Sequence, residues 1–300
     1  MKKVSVGVMA YNEEENIEAL LGSLLNQKVS DFRVDEIIVV SSGSTDKTDE
    51  IVRRHCDKNN QIRLIKQKKR LGKASAVNKF IKHSRHDLLV LVGADLLLKK
   101  ETLKELLKPL KEPDVGIVGA HPIPVNKRDT LVGYAVNLLW ELHHRISLKQ
   151  PKMGELIAFR KIFKKIPILT ATDEANIEPL VRGQGYRSVY APKAIVYNRG
   201  PETVGEFVKQ RKRIYFGHLA VKNEYSYEVS TMKALKLVGL LGQCYCLIKE
   251  NLLYAGLTIL LEMYSRYLAT VDYYQKTKKY TIWEVIKGSK KRIELDTVDL

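Results

Sequence analysis

Residues 88–92 read Leu-Leu-Val-Leu-Val, apolar at every position, where a strand with one wet face would alternate. Such a run fits a strand covered on both sides. Val4–Met9 and Ile37–Val40 have a similar aliphatic, β-branched character, and "IRLIKQ" (62–67) and "VGIVGAHP" (115–122) add two more short strands. Between these runs the apolar spacing changes to that of a helix. Glu14–Leu25 carries Ile17, Leu20, Leu21, Leu24 and Leu25 on one stripe. "SGSTDKTDEIVRRH" (42–55) opens a second helix, with Ser44 or Thr45 as its cap. "GKASAVNKFIKHS" (72–84) is a helix of small residues able to lie close to a sheet, and Thr102–Leu110 is a further helix. Doubly covered strands that alternate with helices predict an α/β fold: a mostly parallel, open sheet with helices on both faces. Ligands of such sheets sit beyond the carboxyl ends of the strands. Asn12–Glu13, Ser41–Asp46 and Gly93–Asp95 all fall at such ends. Asp95, inside the greasy stretch "LLVLVGADLLL", would cost several kcal/mol as an unpaired buried charge, so it is expected where the strand opens onto solvent or a metal ion.

Beyond residue 120 the pattern loosens. Thr130–Leu148 reads as a helix holding Tyr134, Trp140, His143 and His144, and "GELIAFRKIF" (154–163) as a strand returning to the core. "DEANIEPLVRGQGYRSVYAPKAIVYN" (173–198) reads as helix, glycine turn and strand, and "VGEFVKQRKRIYFGHLAVK" (204–222) as a basic helix. At residue 231 a second region is expected to begin, apolar, basic and helical, running to residue 300. Its apolar runs Leu237–Ile248 and Leu252–Leu261 are split by Lys249-Glu250-Asn251. Each is too short for a bilayer, which takes about 20 residues. Three readings stay open there: a hairpin packed on the first domain or on a second copy in a homo-oligomer, helices in a membrane surface, and true spans. Lys276, Lys278, Lys279, Lys287, Lys290, Lys291 and Arg292, with Trp283 among them, suit either an anionic bilayer or water.

The 51 basic and 34 acidic residues give a formal net charge of +17. That charge calls for an acidic partner such as a phosphorylated substrate, a lipid headgroup or a nucleic acid. Nucleic acid is not expected, because the basic residues are spread along the chain and no helix-turn-helix, zinc or RNA-recognition pattern is present. Three cysteines form no disulfide or metal framework, which places the chain by default in a reducing compartment. The opening "MKKVSVGVMAYNEEE" lacks a secretory apolar region. The expected location is cytoplasmic, at or near the inner face of a membrane.

The strand-end segments, in their order, resemble family 2 of the inverting, nucleotide-sugar-dependent glycosyltransferases with the GT-A fold. "VMAYNEEENI" is similar to that family's opening turn, which implies that Ala10, Tyr11 and Glu13 line the nucleotide pocket. "IIVVSSGSTDKT" resembles a segment that usually carries Asp-Asp before Gly-Ser-Thr-Asp. Here Ser41 and Ser42 stand in place of the pair, so Ser42 meets the base without charge. A UDP-sugar is the favoured donor. "RLGKASAVN" resembles the segment beneath the nucleotide and implies that Lys73 neutralises a phosphate. The family's Asp-x-Asp is here Gly93-Ala94-Asp95, which leaves Asp95 to hold a divalent cation, Mn²⁺ or Mg²⁺, against the diphosphate. "KMGELIAFRK" resembles the acceptor-side strand and places Gly154 and Glu155 at the acceptor pocket. "ATDEANIEPL" resembles the segment presenting the catalytic base. Its usual Glu-Asp is inverted to Asp173-Glu174, and both remain candidates. "QRKRIYFGH" resembles a Gln-x-x-Arg-Trp motif over the diphosphate: Gln210 and Arg213 match, while Ile214 replaces the Trp, against processive synthesis. Of Arg211 and Lys212, at least one is expected to face solvent, and His218 is expected to be structural.

The resemblance implies transfer of a sugar from a nucleotide-diphosphate donor to an acceptor hydroxyl of a glycan or a lipid-linked substrate. A nucleotidyltransferase would show a glycine-rich phosphate loop near the first strand, which is absent. A catalytically silent relative stays open on Ser41, Ser42 and Gly93, and a basic nucleic-acid-binding protein is the remaining alternative. Titration with nucleoside diphosphates separates these readings.

Overall fold

The computed structural model describes residues 1–168, 172–232, 242–275, 282 and 284–293. The apolar run beginning at Leu237 therefore lies partly outside the described residues, and Lys276, Lys278, Lys279 and Trp283 lie wholly outside them.

Eight strands form one sheet in the order β3-β2-β1-β4-β7-β6-β8-β5. Their ranges are β1 Lys2–Ala10, β2 Phe32–Ser41, β3 Ile62–Lys66, β4 Leu88–Gly93, β5 Leu97–Leu98, β6 Val115–Pro124, β7 Leu156–Arg160 and β8 Arg187–Asn198. The first four in sheet order run parallel, and β6 runs parallel to β8. The returning strand β7 is antiparallel to both β4 and β6, and the two-residue β5 is antiparallel to β8. The sheet is thus parallel over its first four strands and mixed beyond β4. The chain builds β1, β2 and β3 outward on one side and returns to place β4 on the other side of β1. The crevice beyond β1 and β4 is therefore the switch point where open α/β sheets bind ligands.

Doubly buried strands fix that crevice. Leu88, Val90 and Val92 of β4 join Val4, Val6 and Val8 in a core under α1 (Ile17–Leu25). Leu89 and Leu91 face the opposite core, with Val77 and Phe80 of α3 (Lys73–His83). Each such side chain contributes roughly 1.5–3 kcal/mol by burial, so both faces hold the strand ends in place. The close approach of α3 needs Gly7 of β1: a Cβ there would stand 2.4 Å from the Phe80 ring.

Several helices begin later than the sequence spacing implies. α1 starts at Ile17 rather than Glu14, because residues 12–16 form a turn in which Asn12 has φ of +51° and the Glu13 carbonyl accepts from Asn16 and Ile17. α2 spans Thr48–Lys58. Neither Ser44 nor Thr45 caps it, because both bond Asn12 instead, and Asp46 Oδ1 accepts from the Thr48 amide at 3.0 Å. α4 is Thr102–Leu107, followed by a 3₁₀ turn through Lys111 that contains Pro109. α5 (Leu131–Lys149), α6 (Asp173–Arg182) and α7 (Val204–Tyr225) follow the expected pattern.

The described part of the C-terminal region is α8 (Tyr245–Glu250), α9 (Leu252–Tyr274) and a segment at 284–293. α9 lies along α7 and α5. It pairs Glu262 with Arg211 at 2.7 Å and Asp272 with Lys212 at 3.0 Å. Neither cation faces open solvent as expected, because α9 covers that side of α7. No helix among the described residues is long and apolar enough to cross a membrane. α9 nevertheless has inverted faces. It buries Ala255, Thr258, Ser265 and Ala269, and it exposes Leu253, Leu260, Met263, Tyr264 and Tyr267.

Candidate active site

A cavity of about 600 Å³ opens at the switch point. The candidate residues Ala10, Tyr11, Glu13, Ser42, Lys73, Asp95, Gly154, Glu155, Asp173, Glu174, Gln210 and Arg213 all line it. They come from seven places in the chain, brought together by the ends of β1, β2 and β4, the approach to β7, the starts of α3 and α6, and the face of α7.

The nucleotide-side turn is tightly tied. The Glu13 amide donates to Thr48 Oγ1 at 2.7 Å, and the Glu14 amide donates to Asp46 Oδ2 at 3.1 Å. Asp46 is thus a brace between this turn and α2. The Arg70 guanidinium sits 4.2 Å from the Tyr11 ring centre, a cation–π contact that fixes the ring. Ser42 Oγ is buried without a hydrogen-bond partner among the described residues.

Asp95 stands in the turn after β4, half-buried, as the exit of a doubly covered strand requires. Its carboxylate lies over Gly93: a Cβ there would come within 2.6 Å of Asp95 Oδ1. Burial, then the charge of Asp95, pushes the Glu13 carboxyl up to about 8; the same causes in the same order push Glu155 up to about 7. Acidic groups thus crowd around Asp95, and a divalent cation would relieve their mutual repulsion. No group of three His, Cys, Asp or Glu side chains among the described residues is arranged to hold a metal ion alone. The donor set therefore fits a hard cation shared between Asp95 and an anionic ligand.

Across the cavity Asp173 opens α6, with Thr172 rather than Asp173 at the cap. Lys73, the first residue of α3, places its ammonium 2.7 Å from Glu174 Oε1 and 3.6 Å from Asp173 Oδ2. Burial lowers the Lys73 pKa, but Glu174, Asp173 and Glu155 outweigh it and hold the ammonium above its ordinary value. Burial raises the Asp173 carboxyl to about 6 against the pull of Lys73. Among the described residues, neither Asp173 oxygen has a partner closer than the Lys73 ammonium at 3.6 Å. Arg213 faces the same acids, and burial holds its pKa below the ordinary value against Glu155, Glu174, Asp173 and Asp95.

Two site residues were not legible as such in the sequence. Lys290, expected in a basic tail, donates to the Tyr11 carbonyl at 2.7 Å and to Glu13 Oε1. The segment carrying it is held by Asn16, which donates to the Lys290 carbonyl at 2.7 Å, and by Glu206, which accepts from the Gly288 amide at 3.0 Å. Lys152 lies deep in the cavity, two residues before Gly154. His218 is buried and lines the cavity beside Lys152 and Arg211 rather than beside Asp95.

The sequence profile described as glycosyl transferase family 2 matches residues 5–172. Poly-β-1,6-N-acetyl-D-glucosamine synthase of Staphylococcus aureus (strain COL) is 28% identical over 236 residues, 74% of this chain and 56% of that protein. The dolichyl-phosphate β-glucosyltransferase ALG5C of Trichomonas vaginalis is 37% identical over 131 residues, 42% of this chain and 38% of that one. The chain spans about half the length of the first of these, 56%, and less of the second. Among solved structures, the mannosyltransferase PcManGT from Pyrobaculum calidifontis, in complex with GDP-Man and Mn²⁺, superposes with a TM-score of 0.67 at 22% identity, covering 92% of this chain and 88% of that one. S. aureus TarS 1-349 in complex with UDP-GlcNAc gives 0.53 at 20% identity, covering 94% and 83%. At these identities the structural likeness is one of fold.

Proposed function

The chain belongs to glycosyl transferase family 2, and from that premise we propose that it moves a sugar from a nucleoside-diphosphate donor to an acceptor hydroxyl, with inversion at the anomeric carbon. The observation that carries this reading is the meeting of Asp95, Glu155, Asp173, Glu174, Lys73 and Arg213 around one cavity at the sheet's switch point. The nucleotide sugars named with TarS and PcManGT support that donor class.

Ala10, Tyr11, Glu13 and Ser42 take the nucleoside, a UDP-sugar being favoured. Ser42 offers a neutral hydroxyl that still lacks a partner. Mn²⁺ or Mg²⁺ held by Asp95 would supply positive charge to the departing diphosphate. Arg213 and Lys73, with Gln210 beside them on α7, offset the same charge from the protein side, and Lys290 reaches it from the C-terminal segment. Gly154 and Glu155 border the acceptor. Asp173 is the general base: its pKa of about 6 lies near a neutral working pH, and Lys73 approaches only one of its oxygens, at 3.6 Å. Glu174 instead anchors Lys73. Residues 1–230 form the catalytic domain under this reading, and 231–300 a C-terminal region whose described helix α9 packs on α7 and α5.

Titration with UDP and GDP, with and without Mn²⁺, is the first test, followed by a screen of UDP-, GDP- and dTDP-sugars for hydrolysis or transfer. Metal-strengthened binding of one nucleotide and turnover of its sugar are expected. Nucleotide binding with no turnover of any donor would leave the catalytically silent relative.

The outward apolar row on α9 supports a position at a membrane surface, on the cytoplasmic side, with a glycan or lipid-linked acceptor. Flotation with anionic vesicles is expected to carry the protein up, and Leu260→Glu with Met263→Glu to leave it at the bottom. Unchanged flotation of the double variant would remove α9 from membrane binding. A concentration-dependent dimer that the double variant abolishes would assign the row to a homo-oligomer.

A further inference from the structure

The cavity holds a second charged region that the donor chemistry does not use. Lys152, Arg211 on α7 and Arg266 on α9 all line it. Glu262 accepts from both guanidiniums, at 2.7 Å from Arg211 Nε and 2.8 Å from Arg266 Nε. Lys152 pairs with no carboxylate among the described residues. Its ammonium is pulled down to about 7, by burial first and then by repulsion from Arg211 and Arg266. Burial keeps His143 and His218 neutral beside it, and both ring nitrogens of His143 are enclosed without partners. Glu178 also lines this part of the cavity, so three cations face two carboxylates, and the remaining buried positive charge is costly unless a ligand offsets it.

This region is distinct from the donor end. Lys152 responds chiefly to Arg211, Arg266, Glu262 and Glu178, whereas Arg213 responds to Glu155, Glu174, Asp173 and Asp95. α7 therefore turns one arginine to each. The lining of the cavity also includes apolar side chains, Leu139 and Trp140 of α5, Ile214 of α7 and Ile259 of α9. A sugar alone would leave such walls unsatisfied, and a free anion would not use them.

We propose that this chamber seats the acceptor, and that the acceptor carries a phosphate ester on an apolar chain, with the phosphate on Lys152, Arg211 and Arg266 and the chain between α5 and α9. The assignment rests on the proposed function, since it takes the acidic end as the donor's. It narrows the acceptor class to an anionic amphiphile.

The test measures binding, so it does not depend on turnover. Decyl phosphate, below its micellar concentration, is titrated into the full chain beside decanol and inorganic phosphate. The phosphate ester is expected to bind at least tenfold more tightly than either control. Lys152→Met and Arg266→Gln are each expected to weaken it at least tenfold, with affinity for the nucleoside diphosphate in Mn²⁺ held within twofold. Lys152→Met removes a buried unpaired charge, so its melting temperature should stay level or rise, which separates lost binding from lost folding. Equal binding of decanol would overturn the phosphate seat, equal binding of inorganic phosphate would overturn the apolar one, and unchanged affinity in both variants would overturn the residues. Should decyl phosphate behave as expected while no nucleoside diphosphate binds, the donor reading fails and the anion seat stands.

Discussion

Asp173→Asn is expected to lower sugar transfer by about a hundred- to ten-thousand-fold, the range a positioned general base supplies, and to leave nucleoside-diphosphate affinity near that of the wild type. The asparagine keeps the size of the side chain at a position that is 1% exposed, so the helix start need not move. What it loses is the carboxylate, the only form that accepts a proton. Because burial places the Asp173 pKa at about 6, wild-type transfer should rise with pH through that value and level off above it, as the carboxylate form fills. Glu174→Gln should behave differently. Its Oε1 holds the Lys73 ammonium at 2.7 Å, so its loss frees Lys73 and disturbs diphosphate binding as well as turnover. Asp95→Asn should cut the metal-dependent part of nucleotide binding and transfer together. Single-turnover rates and nucleotide titrations on the three variants decide the matter. Normal turnover in Asp173→Asn with the loss confined to Glu174→Gln would move the base by one residue.

The position of Asp95 was legible because its pattern is local, whereas Asp173 and Glu174 were marked only by the resemblance of their segment to a family motif. A strand buried on both faces has to be apolar throughout, so an acid at its end marks the exit, and the switch point follows from the order of the strands. Contacts that depend on how distant pieces dock leave no such trace. Lys290 meets Glu13 across 277 positions, and nothing in the basic stretch around it singles it out from Lys287 or Lys291. Lys152 reads as one surface lysine among many until α7 and α9 close over it. Of Arg211 and Lys212, adjacent on a helix, at least one looks solvated, and α9 supplies Glu262 and Asp272 to take both in. The inverted faces of α9 carried a faint signal: Ala255, Thr258, Ser265 and Ala269 form a small-residue stripe at helical spacing. The surrounding apolar residues hid it, because apolar spacing alone does not say which face is inside. β7 was visible as a strand, but its antiparallel direction depends on the crossing of α5.

The other large effect concerns stability. Glu262→Gln is expected to destabilise the protein by about 3–5 kcal/mol at pH 7, because it leaves two enclosed guanidiniums without their carboxylate. Those guanidiniums hold the Glu262 pKa at about 2 despite burial, against 4.5 for an ordinary glutamate. A depressed carboxylate stabilises the fold above its unfolded pKa and loses that stabilisation as protons bind. The contribution should therefore be complete above about pH 4.5 and vanish between 4.5 and 2, a loss of about 3 kcal/mol. Urea unfolding of wild type and variant across that window should give curves that converge in acid. Parallel curves would mean that Glu262 is not the carboxylate that sets this acid limit. Replacing Arg211, Glu262 and Arg266 together by apolar residues of similar size should cost little or even stabilise, as with other buried ionic groups. A triple variant that folds well yet no longer binds decyl phosphate would show that the charges are kept for the ligand, since the fold itself does better without them.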